Sequence, residues 1–204
     1  DAYAYYNLGN SYEALDRHEA AVENYQIAIK KNRNFTDVHN NLGVVLKELG
    51  RFDEAIGHFR EAIRLQPDCA EAHWNLSLAL LVNGQFEEGL KGHEWRFRRG
   101  EKSTIYPYDF RIPLWDGSRF DGKRLFVHSE QGFGDTLQFI RYLPMVKRLG
   151  GTVIFETFGP LLGIIRGFPG IDKLVEISPD RRHVEKCDYY VPLMSLPMLF
   201  AAAI

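Results

Sequence analysis

The sequence predicts an α + α/β protein, with helical hairpins over its first half and a parallel-sheet α/β unit over its second. Laid on itself at an offset of 34 residues, the chain aligns Leu8, Leu42 and Leu76 and brings Gly9, Gly43 and Ser77 into one column. After Gly100 the helical apolar period stops, and Pro, Gly, Asp and aromatic residues take over. From Arg124 onward short apolar runs alternate with helical stretches, the pattern of βαβ units.

The hairpins occupy residues 1–99 as about three units. The same offset aligns Ala21 with Ala55, Tyr25 with Phe59 and Ala28 with Ala62, and Pro67 closes the second unit as a helix-ending residue should. Small residues let the paired helices approach closely, while the aromatics fill the space between neighbouring units. The third unit keeps Asn75-Leu76 but places Gly89, His93 and Arg96 in the later columns, which marks it as degenerate. Arg96, Arg98 and Arg99 are expected at a solvated helix end, where cations answer the dipole, with an anion-binding patch as the alternative.

This 34-residue period resembles the tetratricopeptide repeat family over about residues 2–99. Such repeats usually bind extended peptides along the face of their first helices, so the resemblance implies an extended peptide or protein as partner. Asn7, Asn41 and Asn75 recur at one repeat position on that face. An amide offers one acceptor and two donors, so a ladder of amides could hold a peptide backbone without reading its sequence. The peptide-holding repeats of protein O-glycosyltransferases look similar here; structural hydrogen bonding is the competing use of these asparagines. A clamp for a terminal carboxylate needs Lys or Arg where Tyr6, Glu71 and Trp74 stand.

Residues 100–123 read as a linker with fixed structure, because Phe110 and Trp115 are too apolar to be left in water. In residues 124–204 the pattern predicts strands at 125–128, 153–155, 173–177 and 189–191. Helices are expected at 136–149, ended by Gly150-Gly151, and at 161–166. Chemistry in such a unit sits where loops leave the C-terminal strand ends. The richest loop runs from His128 to Thr136, with Gly132 and Gly134 permitting close backbone approach and His128, Glu130 and Gln131 able to hydrogen-bond a substrate. Asp135 stands at the following helix start, either as an N-cap or as a general base facing a ligand.

Other site classes find little support. Gly132-x-Gly134 with Glu156 is a partial dinucleotide fingerprint, but Leu137 replaces the third glycine, and no Gly-Lys-Ser/Thr follows for a P-loop. Ser195 lacks the Gly-x-Ser-x-Gly elbow of a serine hydrolase. His39 and His73 share a repeat column without a third ligand, so no metal site is predicted.

A longer resemblance spans nearly the whole chain. Pro113-Leu-Trp-Asp-Gly117, the segment Gly122 to Tyr142 and Pro192-Leu-Met-Ser-Leu-Pro197, following repeats that end in Glu94-Trp-Arg96, are similar to bacterial tetratricopeptide proteins fused to a glycosyltransferase-like domain. The resemblance implies a Rossmann-like fold for the α/β half, matching the N-terminal half of GT-B glycosyltransferases, and Gly134-Asp135 resembles the heptosyltransferase group. It implies Asp135 as the base that activates an acceptor hydroxyl, and Gly132–Thr136 as the acceptor site. A nucleotide-sugar donor would bind mainly to a second Rossmann-like half. None follows Ile204, so the 204 residues are expected not to transfer sugar alone and to hold no cofactor of their own.

Composition narrows the classes further. A formal charge of −2 disfavours a nucleic-acid partner, and no apolar run reaches the roughly 18 residues of a membrane helix. Cys69 and Cys187 lack CxxC spacing, so neither a disulfide framework nor a zinc site is suggested, and a reducing cytoplasm is the default location. The start at Asp1 within a helical pattern suggests a piece of a longer chain. The open repeat edge at Asp1 and an open sheet after Tyr190 are expected to invite a homodimer. The leading expectation is a glycosyltransferase-like protein whose repeats recruit an acceptor; the alternative is a protein-interaction module with a non-catalytic α/β scaffold.

Overall fold

The computed structural model describes residues 1–100, 110–130, 132–177 and 184–201, in two compact units, Asp1–Ser103 and Thr104–Ile204. In the first, α1 (Ala2–Glu13) pairs with α2 (His18–Lys31), α3 (Thr36–Glu48) with α4 (Phe52–Leu65), and α5 (Ala70–Val82) with α6 (Phe86–His93). Each hairpin turns at one repeat position, where Asp16, Gly50 and Gly84 take φ of 55°, 74° and 77°. That left-handed residue lets the next backbone N–H reach back into the helix: Arg17 to Tyr12, Arg51 to Leu46 and Gln85 to Leu80, all at 2.8–2.9 Å. Glycine adopts this conformation freely; Asp16 does so against its side chain.

Tyr25 and Phe59 are fully buried and explain the glycine column. A Cβ on Gly9 would lie 2.5 Å from the Tyr25 ring, and one on Gly43 would lie 2.6 Å from the Phe59 ring. The third hairpin departs from this plan. Its second helix has 8 residues where α2 and α4 have 14, and continues as a 3-10 turn, Glu94–Arg98. Gly92 now packs on Ser77, placing the small residues on both helices.

Arg96 does not lie at a solvated helix end: it is 0% exposed, in the interior column held by Ala28 and Ala62. Its guanidinium donates to the Glu94 carboxylate at 2.5 Å and the His93 carbonyl at 3.2 Å, and lies 4.0 Å from the Phe97 ring centre. A buried guanidinium stays charged, so it requires these partners. Of the three arginines only Arg98 is exposed as expected, while Arg99 is half-buried.

In the second unit β1 (Arg124–His128) leads to α7 (Phe133–Phe139), a 3-10 turn at Ile140–Tyr142 and α8 (Leu143–Lys147). Then follow β2 (Thr152–Thr157), α9 (Leu162–Ile165), β3 (Lys173–Glu176), β4 (Tyr189–Pro192) and α10 (Leu196–Leu199). The continuous helix expected over 136–149 is broken before Pro144, which has no N–H to give the preceding turn. Gly150 and Gly151, with φ of 101° and 61°, end it as expected. The four strands are all parallel in the order β3-β2-β1-β4.

Leu125, Val127, Val153 and Phe155 pack with Ile140, Leu143 and Val146 on one sheet face. Phe126 and Ile154 meet Val175, Val184 and Cys187 on the other, where Phe110 and Ile112 also pack. Burial on both faces is why these strands read as continuous apolar runs.

The sheet is not open after Tyr190. Leu114 bridges Tyr190 in parallel, the Trp115 N–H donates to the Tyr190 carbonyl at 2.8 Å, and the Tyr190 N–H donates to the Pro113 carbonyl at 3.1 Å. Trp115 anchors this bridging segment: it is 1% exposed, and its indole N–H donates to the Ser118 carbonyl at 2.9 Å. Among the described residues no helix is long and apolar enough to cross a membrane.

Candidate functional site

Helical spacing puts Tyr3, Tyr6 and Asn7 on one face of α1, Asp37, Asn40 and Asn41 on one face of α3, and Glu71, Trp74 and Asn75 on one face of α5. A chain of amides crosses all three helices. The Asn75 amide donates to Asn40 at 3.0 Å, Asn40 to Asn41 at 3.3 Å, and Asn41 to Asn10 at 3.1 Å. Asn10 also accepts from the Tyr25 hydroxyl at 2.7 Å, which in turn reaches Glu13 at 2.5 Å. Burial, with Glu13 alongside, pushes the Tyr25 pKa up, so the phenol remains a donor.

Of the repeated asparagines, the structure brings Asn41 and Asn75 into this chain and leaves Asn7 exposed outside it. Asn10 and Asn40 are the links that the 34-residue period misses. The Asn10 column continues as Val44 and Leu78, and the Asn40 column holds Tyr6 and Trp74, so neither shows as a repeat of like residues. Asn75 and Asn40 each spend one N–H within the chain and keep a second, Asn41 also reaches the Tyr6 hydroxyl at 3.5 Å, and Asn10 serves the chain as an acceptor.

At the third hairpin the face ends in aromatic and charged groups. Arg99 donates to Glu71 at 3.1 Å and lies 5.2 Å from the Trp74 ring centre, and Trp74 packs on His93 at 4.8 Å. Burial, with Arg96 beside it, lowers the His93 pKa to about 4, so the imidazole stays neutral. At the other end Tyr3 is 62% exposed, and its ring lies 4.7 Å from that of Phe35.

His39 and His73 serve separate structural roles. His39 Nε2 donates to the Arg33 carbonyl at 3.1 Å, which leaves its Nδ1 to accept from His58 Nδ1 at 3.1 Å. His73 bonds the Pro67 carbonyl at 2.9 Å and stacks on Trp95 at 3.7 Å. Among the described residues no group of three side chains suits a metal ion.

In the α/β unit the polar residues gather at the C-terminal strand ends. His128 is buried against Phe110 and Tyr190. Ser129 donates to Thr157 at 3.0 Å and accepts from Thr136 at 3.2 Å, while the Glu130 carboxylate accepts the Met194 N–H at 3.1 Å. Thr136 and Glu130 are therefore buried and bonded within the unit. Gln131 lies outside the described residues.

Asp135 is not the N-cap of α7. Gly132 takes that place, and Asp135 follows within the first turn, half-buried. Gly132 and Gly134 are exposed, and a Cβ on either would meet nothing within 4 Å. The group that sequence reasoning placed only in a dinucleotide fingerprint is Glu156. It is fully buried, in register with His128, and burial raises its carboxyl to about 7. A carboxylate in the apolar run Val153-Ile-Phe-Glu156 was the signal for it.

The tetratricopeptide repeat family model matches residues 6–62 and 40–92. None of the curated proteins matches the chain. Among solved structures, MamA is 30% identical with a TM-score of 0.45, over 47% of this chain and 56% of that one, so the chain spans little more than half of MamA. The second repeat domain of Spaghetti (RPAP3), solved with the HSP90 peptide SRMEEVD, is 20% identical with a TM-score of 0.45, over 46% of this chain and 87% of that one. The yeast Sti1 TPR2B domain, from a complex with pHsp70, is 22% identical with a TM-score of 0.45, over 46% of this chain and 75% of that one. The paired helices, the 34-residue period and the family match agree that residues 6–92 are tetratricopeptide repeats.

Proposed function

We propose that the chain is a protein-interaction module whose first-helix face holds an extended peptide by its backbone. The observation that carries this reading is the amide chain from Asn75 through Asn40 and Asn41 to Asn10, which offers spare donors on three successive helices. A peptide strand laid across α1, α3 and α5 meets an amide at each helix. Fluorescence anisotropy with labelled, end-blocked extended peptides tests it. Replacing Asn40, Asn41 and Asn75 together with Ala should weaken binding at least about tenfold, the effect of roughly 1.4 kcal/mol; unchanged affinity with an intact fold would remove the reading. Asn7→Ala reports separately on the exposed member of the column.

A second reading, of a glycosyltransferase-like α/β half with a nucleotide-sugar donor, is favoured by one arrangement. Asp135 stands half-buried at the start of α7, beside Gly132 and Gly134, at the C-terminal end of a parallel sheet ordered β3-β2-β1-β4. In this reading Asp135 is the base for an acceptor hydroxyl, while His128 and Glu130 precede α7 and Thr136 lies within it. Sugar-nucleotide hydrolysis or transfer that is indifferent to Asp135→Asn would exclude that role.

A further inference from the structure

We infer that the third hairpin carries a binding cleft for a neutral indole-type ring, independent of the amide chain. The second hairpin shows what this cleft lacks. There His39 Nε2 donates to the Arg33 carbonyl, six residues back, and His39 Nδ1 accepts from His58 on the next helix. One repeat on, His73 Nε2 donates to the Pro67 carbonyl, also six residues back, so its imidazole is held the same way. The counterpart of His58, however, is Gly92. His73 Nδ1 is thus left as an acceptor, and among the described residues no donor meets it. Ser77 stands in the Gly43 column, and a Cβ on Gly92 would lie 3.0 Å from the Ser77 Cβ, so the third hairpin has exchanged the second ring for close helix packing.

A cleft of about 380 Å³ lies where that ring is missing, lined by Ile63, Leu76 and Leu80 together with His73, Gly92 and Trp95. Leu76 is 8% exposed, whereas its counterpart Leu42 in the filled second hairpin is 0% exposed. These features state the chemistry of the occupant. Trp95 stacks on His73 at 3.7 Å with 2° between the planes, which fixes the direction of the Nδ1 lone pair and calls for an N–H or O–H donor. Three aliphatic side chains favour an apolar ring over a hydrated imidazole. The cations at the rim are already paired, Arg60 with Glu88 and Lys91 with Glu87, each at 2.8 Å, so the cleft selects a neutral ligand. A cavity of about 150 Å³ lined by apolar side chains takes benzene, so this larger cleft suits a two-ring body. Indole meets all of these demands, with its N–H edge toward His73 and its rings on the aliphatic side chains. A free indole compound and the tryptophan side chain of a partner share this chemistry.

The test is an NMR titration of the full chain with indole, read at the His73 ring and the Trp95 side chain. Saturable shifts at both are expected, with a dissociation constant of about 0.1–1 mM, the range open to so small a ligand. 1-Methylindole, which keeps the rings but has no N–H, should bind about fivefold more weakly, and His73→Phe should remove that difference. Ser77→Gly combined with Gly92→His rebuilds the arrangement of the second hairpin; it should abolish indole binding and raise the melting temperature. Melts confirm that each variant is folded. N-acetyl-tryptophanamide separates the sources: binding as tight as that of indole supports a partner's side chain, and much weaker binding supports a free ligand. Absence of saturable shifts at His73 and Trp95 overturns the cleft as a site, and so does indole binding that survives the double replacement. Equal binding of indole and 1-methylindole overturns the role of His73.

Discussion

Among the described residues, polar side chains of the repeats find partners within a hairpin or between neighbouring hairpins, no more than 35 residues apart, whereas those of the α/β unit find theirs up to 66 residues apart. In the third hairpin Arg96 finds His93 and Glu94, three and two residues away. In the α/β unit Ser129 finds Thr157, 28 residues on, and Glu130 finds Met194, 64 residues on. A repeat array can absorb a polar substitution within one hairpin, because each hairpin contacts only its neighbours. A parallel sheet gathers its polar groups at strand ends that crossovers bring together from remote sequence.

The sharpest test of this contrast is to empty each core in turn. Phe59→Ala should cost the repeats about 3–5 kcal/mol, and Trp115→Ala should cost the α/β unit a similar amount. Denaturation followed by helical signal and by aromatic signal should show each loss confined to its own unit; equal losses in both would break the comparison. Arg96→Met should cost the repeats about 1–3 kcal/mol, less than a fully buried broken pair because Glu94 is 26% exposed and can turn to water.

Acidity should separate the units by sign. His93, lowered to about 4 from 6.5, and His58, lowered by burial and by His39, bind protons more readily when unfolded. Their contribution is present above pH 6.5 and is lost as pH falls towards 4. Glu156, raised from 4.5 to about 7, binds its proton more readily when folded, so its contribution is full below pH 4.5 and lost as pH rises through 7. Between about pH 4.5 and 6.5 these groups give opposite slopes. Melts across that range should show this, and Glu156→Gln should flatten the α/β slope. The smallest effect is a gain: Asp16→Gly, which matches Gly50 and Gly84, should stabilise the repeats by about 0.5–1 kcal/mol, read as a raised melting temperature.

The repeats were largely legible because their packing recurs: Gly9 with Tyr25 and Gly43 with Phe59 repeat one contact at the 34-residue period. The same period hid what does not recur, notably Asn10 and Asn40 in the amide chain and the burial of Arg96 where alanine stands twice. In the α/β half the strands were legible from their apolar runs, whereas the role of Gly132 as N-cap and the burial of Glu156 depend on the three-dimensional meeting of β1, β2 and their loops.

The bridge between Leu114 and Tyr190 has a consequence for the order of folding. Its two sides are separated by the whole of β1 to β3, so the segment that bridges to β4 is made first and finds its partner last. Closing so long a loop before its contacts form is slow, and during synthesis Trp115 must wait for Tyr190 to emerge before its backbone N–H has a partner. The repeats, whose contacts are local, are free to form while that segment is still waiting.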